Sequence, residues 1–99
     1  LAHTTLESAT PKGNAVLDQS RTVIELNFKD AVRLTSVVVV AAGGEERKLS
    51  FPPTASSQQF SIASPALADG RNEIQWKALS RDGHVLSGSL IYVVKPRSE

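Results

Sequence analysis

The repeated alternation of apolar and polar residues constrains this sequence most, because a period of two residues is that of β-strands. In residues 22–28, for example, Ile24, Leu26 and Phe28 fall on one face of an extended chain. A helix needs apolar residues at i, i+3, i+4 and i+7. No stretch holds such a stripe for long, and residues 64–70 could form one helical turn at most. The pattern therefore predicts an all-β fold.

Seven segments have this strand character, at a spacing of roughly ten residues. They are residues 6–9, 22–28, 34–42, 47–51, 58–63, 72–79 and 88–94. Turn-forming residues separate them: Pro11 to Asn14, Gly43-Gly44, Pro52-Pro53 and Asp69-Gly70. The β-branched run at 34–42 predicts a strand buried on both faces or nearly so, and alternation around Trp76 places that residue in the core. This arrangement is typical of a Greek-key β-sandwich or barrel, immunoglobulin-like or cupredoxin-like.

Composition excludes several classes of function. The chain has 99 residues, enough for one domain spanning 1–99, and a formal net charge of +1. Its basic residues are scattered, so we expect no nucleic-acid partner, and its longest apolar run, 36–42, is too short for membrane insertion. No serine lies in a nucleophile motif, so we do not expect an enzyme. Cysteine and methionine are absent, so any metal site must use nitrogen and oxygen.

The segment Asp82-Gly83-His84 is the strongest local candidate for chemistry. Residues two apart in an extended loop project to the same side, so this carboxylate and imidazole can point at one ion. Asp-Gly is also a common turn signal, and "RDGH" can simply join two strands. Local sequence alone favours the turn.

The only other histidine is His3. If His3 is the mature first residue, its amino group and ring chelate one ion, and a second imidazole and a carboxylate complete a tetragonal set. That geometry suits Cu(II), with Zn(II) as competitor. Ala2 suits the residue before a signal-peptidase cut, so we expect residues 1–2 to be native residues, a signal-peptide remnant or an addition made for expression. If they persist, the start Leu1-Ala2-His3 can itself bind Cu(II).

Three blocks of the sequence resemble the CopC family of periplasmic copper-resistance proteins. The first is "HTTLESATPKGN" (residues 3–14), with a leading histidine and Pro-x-Gly. The second is "IELNFKD" (24–30), a strand that ends in an aromatic residue and an acidic one. The third is residues 67–94, where Trp76 precedes Ser-x-Asp-x-His and a final apolar strand.

The resemblance implies a Greek-key β-sandwich in the bacterial periplasm that binds copper for tolerance, storage or delivery to an inner-membrane copper transporter. The family's metal ligands fall on His3, Asp82 and His84. An acidic residue near the ion falls on Asp30, whose side chain is one methylene shorter than the glutamate often found there, so we expect it to lie near the metal without ligating it. Members with a separate Cu(I) site are rich in methionine, so this chain is expected to bind Cu(II) only.

Two alternatives remain open at this stage. One is a metal-free immunoglobulin-like interaction module in which Asp-Gly-His is only a turn. The other is a copper monooxygenase with a histidine brace, although such enzymes are usually longer and have a flat face with exposed aromatic residues. Residues 95–99 are expected to form a solvated tail, or the start of a tether in a longer membrane protein.

Overall fold

The computed structural model describes residues 6–17, 23–49, 55–63 and 67–95, and within these ranges the regular structure is entirely β. The strands are β1 (Leu6–Thr10), β2 (Val16–Leu17), β3 (Val23–Ala41), β4 (Glu46–Lys48), β5 (Ser57–Ala63), β6 (Gly70–Ser80) and β7 (Val85–Val94). The expected all-β fold of about seven strands is confirmed. Of the possible helical turn at residues 64–70, the structure describes residues 67–70, and these are not helical. The described part of the chain contains no helix that could cross a membrane.

One long strand organises the sheet. The strand order is β1-β3-β6-β7-β2, and β4 and β5 also pair with β3. Residues 25–28 of β3 pair with β1 and residues 23–32 with β5. Residues 32–41 pair with β6, and residues 38–40 also pair with β4. A strand that changes partners at an irregularity turns the sheet over on itself. The sheet therefore curls into two layers with the core between them.

The continuity of β3 corrects the sequence prediction of two separate strands at 22–28 and 34–42. Residues 29–33 contain no glycine or proline to end a strand, and Val32 is buried. The chain stays extended there, and the bend falls where the pairing of β3 with its neighbour is irregular. Opposite β5 the register moves from Asn27↔Gln59 to Val32↔Ser57.

A second irregularity in β3 is a bulge at Thr35. Leu34 pairs with Ala78 and Ser36 with Lys77, so Thr35 is an extra residue, and its hydroxyl donates to the Lys77 carbonyl at 3.1 Å. An extra residue reverses which side chains point inward. Beyond the bulge the buried positions therefore shift to 37 and 39, and the residues between and after them are half-buried.

Three aromatic rings join the layers. Phe28 lies edge-to-face with Phe60 at 5.9 Å and with Trp76 at 5.2 Å between ring centroids. Phe28 comes from the first part of β3 and Trp76 from β6, so their contact spans the core. Trp76 is 4% exposed, which confirms its predicted burial. Its indole lies over Gly88, the residue paired with it on β7.

Candidate metal centre

The turn between β6 and β7 carries Asp82 and His84. The Gly83 amide donates to the Ser80 carbonyl at 3.0 Å, and the Ser80 amide donates to the His84 carbonyl at 2.9 Å. Gly83 has a φ of 89°, in the left-handed region that favours glycine. This is a three-residue hairpin loop in which a turn is followed by a left-handed residue. The backbone of "RDGH" is thus the tight turn that local sequence favoured.

The same turn brings the two candidate ligands together. His84 Nδ1 lies 3.6 Å from Asp82 Oδ2, and the two side chains are 76% and 72% exposed, respectively. The Ser80 hydroxyl donates a hydrogen bond to Asp82 Oδ1 and accepts one from the His84 amide at 3.0 Å. The hydrogen bond from Ser80, and then the positive potential of His84, hold the pKa of Asp82 below its usual value. The carboxylate is therefore kept in the ionised form that a cation requires.

The spacing of these two donors fits a shared metal ion. With bonds of about 2 Å, two donors on one ion lie between about 2.8 Å and about 4 Å apart, depending on whether they are adjacent or opposite. The separation of 3.6 Å between Nδ1 and Oδ2 falls in this interval. Two donors do not complete a site, however. Within the described ranges no group of three or more histidine, aspartate or glutamate side chains is placed to hold a metal. His3, the third expected ligand, lies outside the described residues.

Asp30 faces the same cleft as the turn. β3 and β6 are antiparallel and Val32 pairs with Ser80, so residues before Val32 run alongside residues after Ser80. An open cleft is accordingly lined by Asp30 on one side and by Asp82 and His84 on the other. The structure brings these three residues to one cleft without bringing them to common ligand distance. The expectation that Asp30 lies near the metal without ligating it stays a prediction.

Sequence reasoning did not single out several of the residues at this site. Glu7 on β1 and Lys29 on β3 also line the cleft, and no local pattern marks them, because distant strands bring them there. Ser80 contacts both Asp82 and His84. Its signal was present in the sequence, since serine often hydrogen-bonds to groups two to four residues away in turns.

Comparisons with known proteins agree with this architecture. Residues 6–95 match the family model described as the CopC domain. No curated protein matches the chain. The structure is similar to that of CopC from Methylosinus trichosporium OB3b, with 22% identity, 98% of each chain covered and a TM-score of 0.80.

It is also similar to PcoC, a methionine-rich copper resistance protein from Escherichia coli. That comparison has 25% identity, covers 95% of this chain and 100% of the other, and has a TM-score of 0.62. The similarity to the Methylosinus protein shows the shared fold, and the family match contains every residue that the structure describes. On the strength of that match, the chain belongs to the CopC family.

Proposed function

We propose that this protein binds one Cu(II) ion in the bacterial periplasm through His3, Asp82 and His84, and holds or passes on that ion without catalytic turnover. The observation that carries the proposal is the convergence of a carboxylate and an imidazole at 3.6 Å on one hydrogen-bonded turn. Membership of the CopC family supports it, as does the similarity to PcoC, which is described as a copper resistance protein.

The available donors favour Cu(II). Imidazole nitrogen and carboxylate oxygen suit Cu(II) in tetragonal geometry, whereas Cu(I) prefers the sulfur of cysteine or methionine, both absent from the chain. Leu6 lines the cleft beside Asp82 and His84. His3 precedes Leu6 by three residues, and three residues of chain span at most about 10 Å. Position 3 is therefore within about 10 Å of chain from a residue that lines the same cleft, which supports His3 as the third ligand.

The exposure of the turn supports transfer of the ion rather than permanent burial. Asp82 and His84 keep 72% and 76% of their side-chain surface open, so an incoming ligand can reach the metal. We propose that the protein contributes to copper tolerance, through storage or through delivery to an inner-membrane copper transporter. Because the ligands must be deprotonated, copper affinity should fall as the pH drops through the range in which histidine binds a proton.

The proposal is tested by Cu(II) competition titration and electron paramagnetic resonance on four chains: wild type, His3→Ala, His84→Ala and the double variant. If both histidines bind one ion, each single variant loses most of the affinity and the double variant loses little more. Asp82→Ala should also weaken binding. Asp69→Ala is the matched control, because Asp69 is an exposed aspartate that also precedes glycine, at the other end of β6.

Three results would contradict the proposal in different ways. If His3→Ala abolishes binding and His84→Ala leaves it unchanged, copper is held by the start Leu1-Ala2-His3 alone. If the wild type does not bind copper, a metal-free interaction module is the better description. Oxygen consumption in the presence of a reductant and a polysaccharide would instead indicate a monooxygenase.

A further inference from the structure

The side chain of Ser80 lies at the centre of the turn that carries the candidate ligands. Its hydroxyl group has two roles: it donates its hydrogen to Asp82 Oδ1, and its oxygen accepts the hydrogen of the His84 amide at 3.0 Å. The backbone of Ser80 also makes two hydrogen bonds, to Gly83 and to His84. One residue thus contacts the carboxylate of one candidate ligand and the backbone of the other.

From these contacts we infer that Ser80 is a positioning residue, which orients Asp82 and His84 for the metal and directs Oδ2 of Asp82 toward it. This inference rests on the proposed function. Oδ1 is engaged by Ser80, while Oδ2 is the oxygen that lies 3.6 Å from His84 Nδ1. Asp82 is therefore a ligand through one oxygen, and the other oxygen stays bound to the serine hydroxyl.

The exposure of the two ligands explains why such a residue is needed. Side chains that are 72% and 76% exposed have few packing contacts to hold them in one orientation. The terminal torsion of an aspartate is broad and roughly two-fold, so an unrestrained carboxylate presents either oxygen. The Ser80 hydroxyl restricts this rotation before the metal arrives, and its bond to the His84 amide fixes the backbone from which the imidazole extends. Preorganised ligands lose less freedom on binding.

The expected effect follows from other metal sites. Hydrogen-bond partners that orient metal ligands typically contribute about 10- to 100-fold to metal affinity. Ser80→Ala should therefore weaken Cu(II) binding about tenfold or more and change the copper hyperfine splitting in the electron paramagnetic resonance spectrum. Ser80→Thr keeps the hydroxyl and should retain affinity within about threefold.

The experiment compares wild type, Ser80→Ala, Ser80→Thr and Ser87→Ala in Cu(II) competition titrations on the full chain. Ser87 is a matched control, because it is an exposed serine on the adjoining strand β7 and does not line the cleft. Thermal unfolding of each metal-free variant shows whether it folds. A nuclear magnetic resonance spectrum of the metal-free protein adds a readout independent of copper, since the His84 amide should shift in Ser80→Ala and remain near its wild-type position in Ser80→Thr.

A double variant separates positioning from general loosening of the turn. If Ser80 acts largely through the carboxylate, Ser80→Ala should weaken binding less in an Asp82→Ala background than in the wild type. Equal copper affinity of Ser80→Ala and Ser87→Ala would overturn the inference, as would a folded Ser80→Thr variant that binds as poorly as Ser80→Ala. If the wild type itself does not bind Cu(II), the proposed function fails and the inference fails with it. If His84→Ala loses most of the copper affinity while Ser80→Ala binds like the wild type, only the inference is rejected.

Discussion

Replacement of Gly88 by alanine should destabilise the protein through a clash in its core. A Cβ atom built at position 88 lies 2.6 Å from Cζ2 of Trp76, 2.9 Å from Cε2 and 3.0 Å from Nε1. Non-bonded carbon atoms pack at about 3.5–4.0 Å, so the new methyl group overlaps the indole by about 1 Å. Trp76 is 4% exposed and its ring already contacts Phe28, so it has little room to move.

The magnitude is the difference between two effects. Adding a methyl group to a well-packed core typically costs about 1–3 kcal/mol. Replacing glycine also reduces the conformational freedom of the unfolded chain, which stabilises the folded state by about 0.4–1 kcal/mol. We therefore expect Gly88→Ala to lower the free energy of unfolding by about 1–2 kcal/mol. For a domain of this size that corresponds to a fall in Tm of about 5–15 °C.

Urea unfolding followed by the fluorescence of the single tryptophan measures this change directly. Gly43→Ala is the control, because nothing lies within 4 Å of a Cβ at that position and its φ is not in the left-handed region. That variant should match the wild type or be slightly more stable. If Gly88→Ala unfolds at the same urea concentration as Gly43→Ala, the packing of Trp76 against β7 described above is wrong.

Three further changes test other parts of the fold. Asn72 is fully buried, and its side-chain amide forms hydrogen bonds with the backbone of Ala68 and Gly70. Asn72→Ala should therefore reduce the free energy of unfolding, measured in urea, by about 2–3 kcal/mol. An unchanged value would contradict this buried hydrogen-bond network. Gly83 has a φ of 89°, so Gly83→Ala should cost about 1–2 kcal/mol and weaken copper binding in titration, whereas Gly83→Asn should cost less. Burial raises the pKa of Tyr92 to about 12 from 10.0, so the native state retains a proton that the unfolded chain releases. The contribution of the protonated Tyr92 to stability is therefore fully present below about pH 10 and is lost as the pH rises toward 12. The difference in unfolding free energy between wild type and Tyr92→Phe should shrink over that range.

The sequence predicted where the chain is extended better than how its strands pair. Alternation identified the inward face of residues 22–28, and Ile24, Leu26 and Phe28 are all buried. Alternation does not say where one strand ends, however, when no glycine or proline intervenes. The bulge at Thr35 has no such signal, because its hydrogen bond to Lys77 forms only after β3 and β6 have paired.

The short strand β2 shows the same limitation. It has only two residues, Val16–Leu17, and no periodicity can be read from so short a segment. It pairs with the end of β7, where the Val93 amide donates to the Ala15 carbonyl and the Lys95 amide to the Leu17 carbonyl. These contacts join residues nearly eighty positions apart. They therefore depend on the completed sheet rather than on local preference.

At the candidate site, sequence reasoning placed Asp82 and His84 on one side of a loop, and the structure has them 3.6 Å apart. Their role as metal ligands stays a prediction, as does that of His3. The position of Asp30 could not follow from local pattern, because it depends on the pairing of Val32 with Ser80. Family resemblance suggested Asp30, and the register between β3 and β6 explains why it faces the turn.

The turn and ligand interpretations of Asp-Gly-His are not alternatives, as a second Asp-Gly pair in the chain makes clear. Gly70 and Gly83 have nearly the same φ, 92° and 89°, and each follows an exposed aspartate at one end of β6. The glycines alone therefore do not separate a structural turn from a binding one. The residues two positions before and after each aspartate differ. For Asp69 they are Leu67 and Arg71, whereas for Asp82 they are Ser80 and His84. A hydroxyl that fixes one carboxylate oxygen and an imidazole beside the other are the features that turn an ordinary hairpin loop into a candidate metal centre.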